Sequence, residues 1–180
     1  MTPEEYKQLK AFARQDGALL SLLWIGALVC YIMGLTNPLL GMAALLLVVV
    51  SPFYAANRLR HYRDDVLEGI ISFFRAYGHT VLTYFYASLL LAAAIWAYFS
   101  FMDKGYLMGK IVEAFQSEQG QQLMKLYGMA DQMKQGLEQM SQMRPIDHAL
   151  NVLTISISAG FILGLPVAAL MQRKRLQRVG

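Results

Sequence analysis

Charge is confined to a few short segments of this 180-residue chain, and the stretches between them are long and apolar. Gly17 to Asn57 is one uncharged run, interrupted at Thr36-Asn37-Pro38. Proline disfavours helical backbone in the residue before it, and Asn-Pro is a strong turn signal. The run therefore predicts two helices, 17–35 and 38–56, each near the roughly 20 residues that cross a hydrocarbon core of about 30 Å. Ala76 to Met102 is a third run, with His79 its ionisable exception, and His148 to Gln172 is a fourth. Backbone amides in lipid must be bonded within their own segment, so these runs are expected to be helical. The pattern predicts an all-α polytopic fold, a single membrane domain over 1–180 with transmembrane helices at 17–35, 38–56, 76–102 and 148–172.

The remaining segments have patterns of their own. Thr2-Pro3-Glu4-Glu5 is a capping box with proline at the first helical position. Tyr6, Leu9 and Ala13 follow at helical spacing, with Lys7, Lys10 and Arg14 on the adjacent face. Residues 1–16 are expected to be a short interfacial helix turned toward anionic headgroups. The 103–147 segment is too long for a bare connection. It holds six of the 11 methionines and eight glutamines. Leu123, Leu126, Ala130, Met133, Leu137 and Met140 recur there at helical spacing, which predicts one or two amphipathic helices between about 108 and 143. The stripe of Leu126, Met133, Leu137 and Met140 is the candidate partner surface, because methionine-rich helices adapt to what they bind. Residues 173–180 form a basic tail.

Composition narrows the class. Hydrophobic residues make up 56% and charged residues 16% of the chain. A soluble particle this small cannot hide so much apolar surface. The net charge of +4 comes from residues flanking the apolar runs, not tiling one face, so it does not point to nucleic acid. Cys30 is the single cysteine, which excludes an internal disulfide and a cysteine-based metal motif. Val29 before it does not suit a lipoprotein cleavage site, and the run after Gly17 is too long for a signal-peptide core. Eleven of the 16 basic residues lie in 1–16, 57–75 and 173–180, which share one side of a four-span protein. The positive-inside rule puts that side, with both termini, in the cytoplasm, and makes 103–147 extracytoplasmic.

The segment Gly69-Ile70-Ile71-Ser72-Phe73-Phe74-Arg75-Ala76-Tyr77-Gly78 leads into a span ending Tyr98-Phe99, with Asp103 and Tyr106-Leu107 after it. A Met/Gln-rich loop follows, then a last helix closing on Leu165-Pro166-Val167-Ala168-Ala169-Leu170-Met171 and a basic tail. Over roughly 15–175 this resembles the bacterial membrane proteins grouped as domain of unknown function 4199. The resemblance implies four membrane helices and a bacterial origin, hence the inner membrane. It carries no activity, cofactor or catalytic residue.

Three constellations invite a chemical role. His61, Asp64, Asp65 and Glu68 fall at i, i+3, i+4 and i+7, one face of a regular helix. Imidazole and carboxylates so placed suit a divalent metal, and a membrane enzyme would follow. The competing account pairs these acids with Arg60 and Arg63 along a solvated helix, Arg60 and Asp64 being i, i+4 partners. It is the one we favour, so no metal, cofactor or catalytic residue is assigned. His79 is a candidate as an ionisable residue within a span, or else an interfacial imidazole one turn from Arg75. No Asp, Glu, Lys or Arg lies at the centre of a span, which argues against a proton-coupled pump. Ser156, Gly160, Gly164 and Ala168 form a small-residue stripe for close helix packing, inside the bundle or in a homo-oligomer. The leading expectation is a non-enzymatic envelope interaction or accessory protein. The alternative is a small transporter, or transporter subunit, for a neutral or lipid-like molecule between helices unwound near Pro52 and Pro166.

Overall fold

The computed structural model describes residues 1–128 and 130–173. Four of its helices are long and apolar enough to cross a membrane, with spans at Pro3–Gly34, Pro38–Val66, Phe73–Met102 and Pro145–Met171. In chain order the α-helices are α1 (Pro3–Gly34), α2 (Pro38–His61), α3 (Phe73–Ala97), α4 (Tyr106–Gln116), α5 (Glu118–Tyr127), α6 (Ala130–Ser141) and α7 (Pro145–Met171). Wider π-turns extend α2 through Tyr62–Val66 and α3 through Tyr98–Met102.

The helix starts follow from local chemistry. Thr2 Oγ1 accepts from the Glu5 amide at 3.2 Å, and Glu5 Oε2 accepts from the Thr2 amide at 2.7 Å, which closes the capping box. Asn37 Oδ1 accepts from the Leu39 amide at 3.1 Å, and Pro38 opens α2 without an amide to satisfy. Asp147 Oδ2 accepts from the Arg144 amide at 2.9 Å at the start of α7.

The helices differ from the sequence expectation in three ways. The 1–16 arm and the first span are one unbroken helix, because Leu9 and Ala13 are buried within the bundle. Pro52 and Pro166 both lie inside continuous helices, so α2 and α7 are not unwound there. The 103–147 segment holds three helices among its described residues. Ser117 separates the first two, extended at ψ 152°, with its Oγ accepting from the Gly120 amide at 3.1 Å. Gly128 turns the chain before α6 at φ 63°, in the left-handed region that glycine enters without steric cost. Of the basic tail, Lys174, Arg175 and Arg178 lie outside the described residues, as do the side chains of Leu123 and Ala130.

The four long helices form an arc in the order α2, α1, α3, α7. α3 packs along both α1 and α7, and α2 packs along α1. One core, of Leu20, Trp24, Ala87, Leu91 and Ile95 with Ala55 and Ala149, fills the middle of the bundle. A second, of Leu9, Leu59, Tyr62, Ile71, Ala76, Val167 and Ala168, draws all four helices together at one end. That end also holds a pair of backbone hydrogen bonds between Ile71 and Arg173, at 3.0 and 3.1 Å. It gathers the start of α1, the α2–α3 connection and the end of α7. The α1–α2 turn and α4–α6 lie at the other end.

Candidate functional site

The gathered end contains a layer of buried charge. Asp16 on α1 is 1% exposed. Arg58 on α2 donates from Nε to its Oδ1 at 2.6 Å, and His79 on α3 brings Nε2 within 3.3 Å of its Oδ2. The imidazole is close to the carboxylate but off the direction of a hydrogen bond, and neither ring nitrogen has an aligned partner. One face of the ring stacks on Tyr62, with centroids 4.8 Å apart and planes 13° from parallel. Arg75 covers the Tyr62 ring, its guanidinium 5.8 Å from the centroid, and donates to Tyr62 Oη at 3.2 Å and Glu5 Oε1 at 3.2 Å. Arg63, also buried, grips both oxygens of Asp64 at 2.7 and 2.9 Å and donates to the Met171 carbonyl at 3.1 Å, capping the end of α7. A charge removed from water persists only if paired and hydrogen-bonded. Here one carboxylate accepts from Arg58 of α2 and faces the His79 imidazole of α3, so the layer ties α1, α2 and α3 together. His79 is therefore not the cheaply solvated interfacial imidazole that its spacing from Arg75 implied.

Beyond this layer α2 and α7 part, and a groove of about 480 Å³ opens between them. Gly41, Ala44, Val48 and Pro52 of α2 form one wall, and Val152, Ser156, Ala159 and Leu163 of α7 the other. Trp24 and Tyr31 of α1 and Tyr84 and Leu91 of α3 form the floor. The walls are almost wholly apolar. Tyr84 is 1% exposed and stands edge-on to Trp24 at 5.4 Å, with its hydroxyl beside the Ser51 side chain. Ser51 is also buried at the groove, and its hydroxyl donates to the Val48 carbonyl at 2.8 Å. The arrangement suits retention of an apolar or weakly polar molecule, and holds no nucleophile–base pair.

The small-residue stripe meets α3. A Cβ on Gly160 would lie 2.5 Å from Tyr84 Cβ, and one on Gly164 would lie 3.1 Å from the Tyr77 ring. Ala168 is fully buried, and Ser156 faces the groove. The His61 group is not brought together. Asp64 is bound by Arg63 and lies 3.5 Å from Arg60, while exposed His61 approaches Asp65 at 3.3 Å. The π-turn over Tyr62–Val66 breaks the assumed helical register, and Glu68 leaves it altogether at φ 53°. On the outer helices, Met133, Leu137 and Met140 are half-buried on α6, whereas Leu126 on α5 is 75% exposed. Glu113 Oε2, 2.6 Å from Lys110 Nζ, holds that amine above the ordinary lysine range.

At the base of these helices Asp103 is buried, accepting from the Leu107 amide at 2.9 Å and the Tyr98 hydroxyl at 2.8 Å, while Phe99 stacks on His148 at 4.1 Å. Asp103 thus caps α4 and joins it to the end of α3. Neither Asp16 nor Asp103 stood out in the sequence, where each reads as a charge at the edge of an apolar run.

Four long apolar helices with a lipid-facing exterior make this a multi-pass α-helical membrane protein. Residues 17–173 match the family model described as "Protein of unknown function (DUF4199)", and the chain belongs to that family. No curated protein and no solved structure matches it.

Proposed function

We propose that this is a non-enzymatic membrane accessory protein that retains a neutral, lipid-like molecule in the groove between α2 and α7. The observation that carries this is the groove itself: a preformed apolar cleft of about 480 Å³, open sideways to the bilayer and floored by aromatic rings. Ligand sites are commonly apolar concavities of about 300–1,000 Å³ with few polar groups. The proposal places the protein in a bacterial inner membrane with the charged layer on the cytoplasmic side, as the basic residues around that layer favour.

Native mass spectrometry after extraction in mild detergent tests it. The wild type should retain a lipid-like adduct, and Ala44→Phe or Ala159→Phe, which fill the groove, should lose it. Leu46→Phe on the lipid-facing side of α2 should keep it. Equal retention by all four proteins would place the adduct elsewhere and end the proposal.

A second role is favoured by a separate observation. Leu126 and Tyr127 are 75% and 69% exposed on α5, outside the four-helix core. They support a protein partner that docks on the outer helices. A photo-crosslinker at Leu126 should capture one defined protein, and the same group at Leu46 should not.

A further inference from the structure

A second cavity, of about 310 Å³, lies at the end of the bundle away from the charged layer, where α4 and α6 meet the start of α7. Met108, Met140, Met143 and His148 line it, beside Phe99 and Asp103. Separate elements bring these side chains together. Met108 is in the first turn of α4, which Asp103 caps. Met140 is in the last turn of α6, where the chain bends back and the Met143 amide donates to the Met140 carbonyl at 3.2 Å. His148 is near the start of α7, one turn before Asn151 and on the same face. Asn151 donates from Nδ2 to Met143 Sδ at 3.7 Å, so that sulfur lies against the face of α7 that carries His148.

Methionine usually fills irregular gaps in a core. Here three of them, each half-buried, stand around an open space. Their thioethers are neutral, soft donors, and imidazole adds a nitrogen. Soft sulfur ligands select monovalent copper, whereas carboxylates, carbonyls and water suit magnesium, calcium and manganese. The carboxylate at the cavity is already committed: Asp103 Oδ1 accepts from the Tyr98 hydroxyl and the Leu107 amide, and Oδ2 accepts from the Gly105 amide. Among the described residues, no group of three or more His, Cys, Asp and Glu side chains is placed to share a metal ion. No lysine or arginine lines the cavity to repel a cation. His148 stacks flat on Phe99 at 4.1 Å, which fixes the ring plane and leaves both nitrogens at its edge. The Asn151 amide occupies one lone pair of the Met143 sulfur and leaves the other.

We propose that Met108, Met140, Met143 and His148 bind Cu(I) in this cavity. The flexible methionine side chains let the sulfurs close onto an ion smaller than the space between them. No electron transfer is involved; the role is capture of the ion at this face of the membrane. The site is separate from the groove between α2 and α7 and does not depend on a lipid there.

Cys30 is the chain's single thiol and a rival soft ligand, so Cys30→Ala is the background for the test. Purified protein in detergent is titrated without oxygen, with ascorbate, against the coloured Cu(I) complex of bathocuproine disulfonate. The background protein should withdraw a single equivalent of Cu(I). Met140→Leu and Met143→Leu nearly keep the side-chain volume and remove the sulfur. His148→Phe keeps the stack on Phe99 and removes the nitrogens. Each should weaken binding at least about 10–100-fold, the loss that follows removal of even an outer partner of a metal ligand. Met133→Leu, outside the cavity, should bind as the background does. Melting curves taken without copper should match across the set, which separates loss of a ligand from loss of fold.

Failure of the background protein to withdraw copper would overturn the proposal. Unchanged affinity in His148→Phe, or in Met140→Leu with Met143→Leu, would do so too, because the ion would then sit elsewhere. So would an equal loss in Met133→Leu, or displacement of Cu(I) by equimolar Zn(II), which a soft thioether site should not permit.

Discussion

Two glycines four residues apart on one face of α7 should respond in opposite ways to a single methyl group. A Cβ at Gly160 would sit 2.5 Å from Tyr84 Cβ and 2.9 Å from its Cγ. Tyr84 Cβ is fixed to the backbone of α3, so it cannot yield unless the helices separate. Overpacking of this kind costs about 1–3 kcal/mol. Replacing glycine by alanine within a helix returns up to about 1 kcal/mol through the unfolded chain. Gly160→Ala should therefore be destabilising, by up to about 2 kcal/mol net.

A Cβ at Gly164 would meet the Tyr77 ring at 3.1 and 3.2 Å and a Val81 methyl at 3.4 Å. The ring end of Tyr77 is able to move by a few tenths of an ångström. The propensity gain then dominates, and Gly164→Ala should be neutral or slightly stabilising. For a domain of this size about 1 kcal/mol corresponds to 2–4 °C in melting temperature, within reach of a thermal assay in detergent. Tyr84→Phe should not rescue Gly160→Ala, because the obstruction is the Cβ and not the hydroxyl. Equal losses at Gly160 and Gly164, or a gain at Gly160, would refute the assigned contact between α3 and α7.

Three further outcomes are expected. In a Cys30→Ala background, a cysteine at Gln119 should react with an impermeant maleimide in cells with a permeabilised outer membrane, and one at Glu68 should not; the same response at both would remove the four-span topology. Asp16→Ala should lower stability by about 3 kcal/mol, the scale for stripping one member from a buried ion pair, while Asp65→Ala should leave the melting temperature unchanged. Met133→Ser with Leu137→Ser should loosen α6 and speed limited proteolysis between Gly120 and Arg144, with the four spans still inserted; wild-type cleavage at the same rate would mean that these side chains hold nothing.

The spans were legible because each is bounded by charge or by a turn signal: Asp16 and Arg58 bracket the first pair, and Asn37-Pro38 divides it. The capping box at Thr2 and the ion pair from Arg60 to Asp64 were also readable, since both join residues three or four positions apart. The charged layer was not. Asp16 borders a run of ordinary arm charges, and its partners are on two other helices. His79 was misjudged for the same reason: Arg75, one turn away, spends its hydrogen bonds on Glu5, Gln8 and Tyr62 and does nothing to keep the imidazole in water. The metal-like spacing around His61 failed because it assumed a regular helix where the backbone widens into a π-turn. Periodicity reports a helix face; it does not report which distant element covers that face.

The groove depends on connectivity more than on any one residue. α2 is held at the charged end by Arg58, Leu59 and Tyr62, and at the far end by a turn so tight that a Cβ on Gly34 would lie 2.5 Å from the Gly41 amide. Both attachments bind it to α1. α7 is held to α3, where Gly160 and Gly164 let the backbones approach. α2 and α7 therefore meet chiefly where Leu59 and Val167 share a core, and diverge from there. In water the exposed Leu45 and Val48 side chains and half-buried Leu163 would drive the two walls together. In a bilayer that force is absent, because lipid tails solvate leucine and valine as well as another helix does. Closing the groove would instead require α2 to swing away from α1 and open the contact between Gly34 and Gly41. The cleft is thus a stable feature of the fold in lipid.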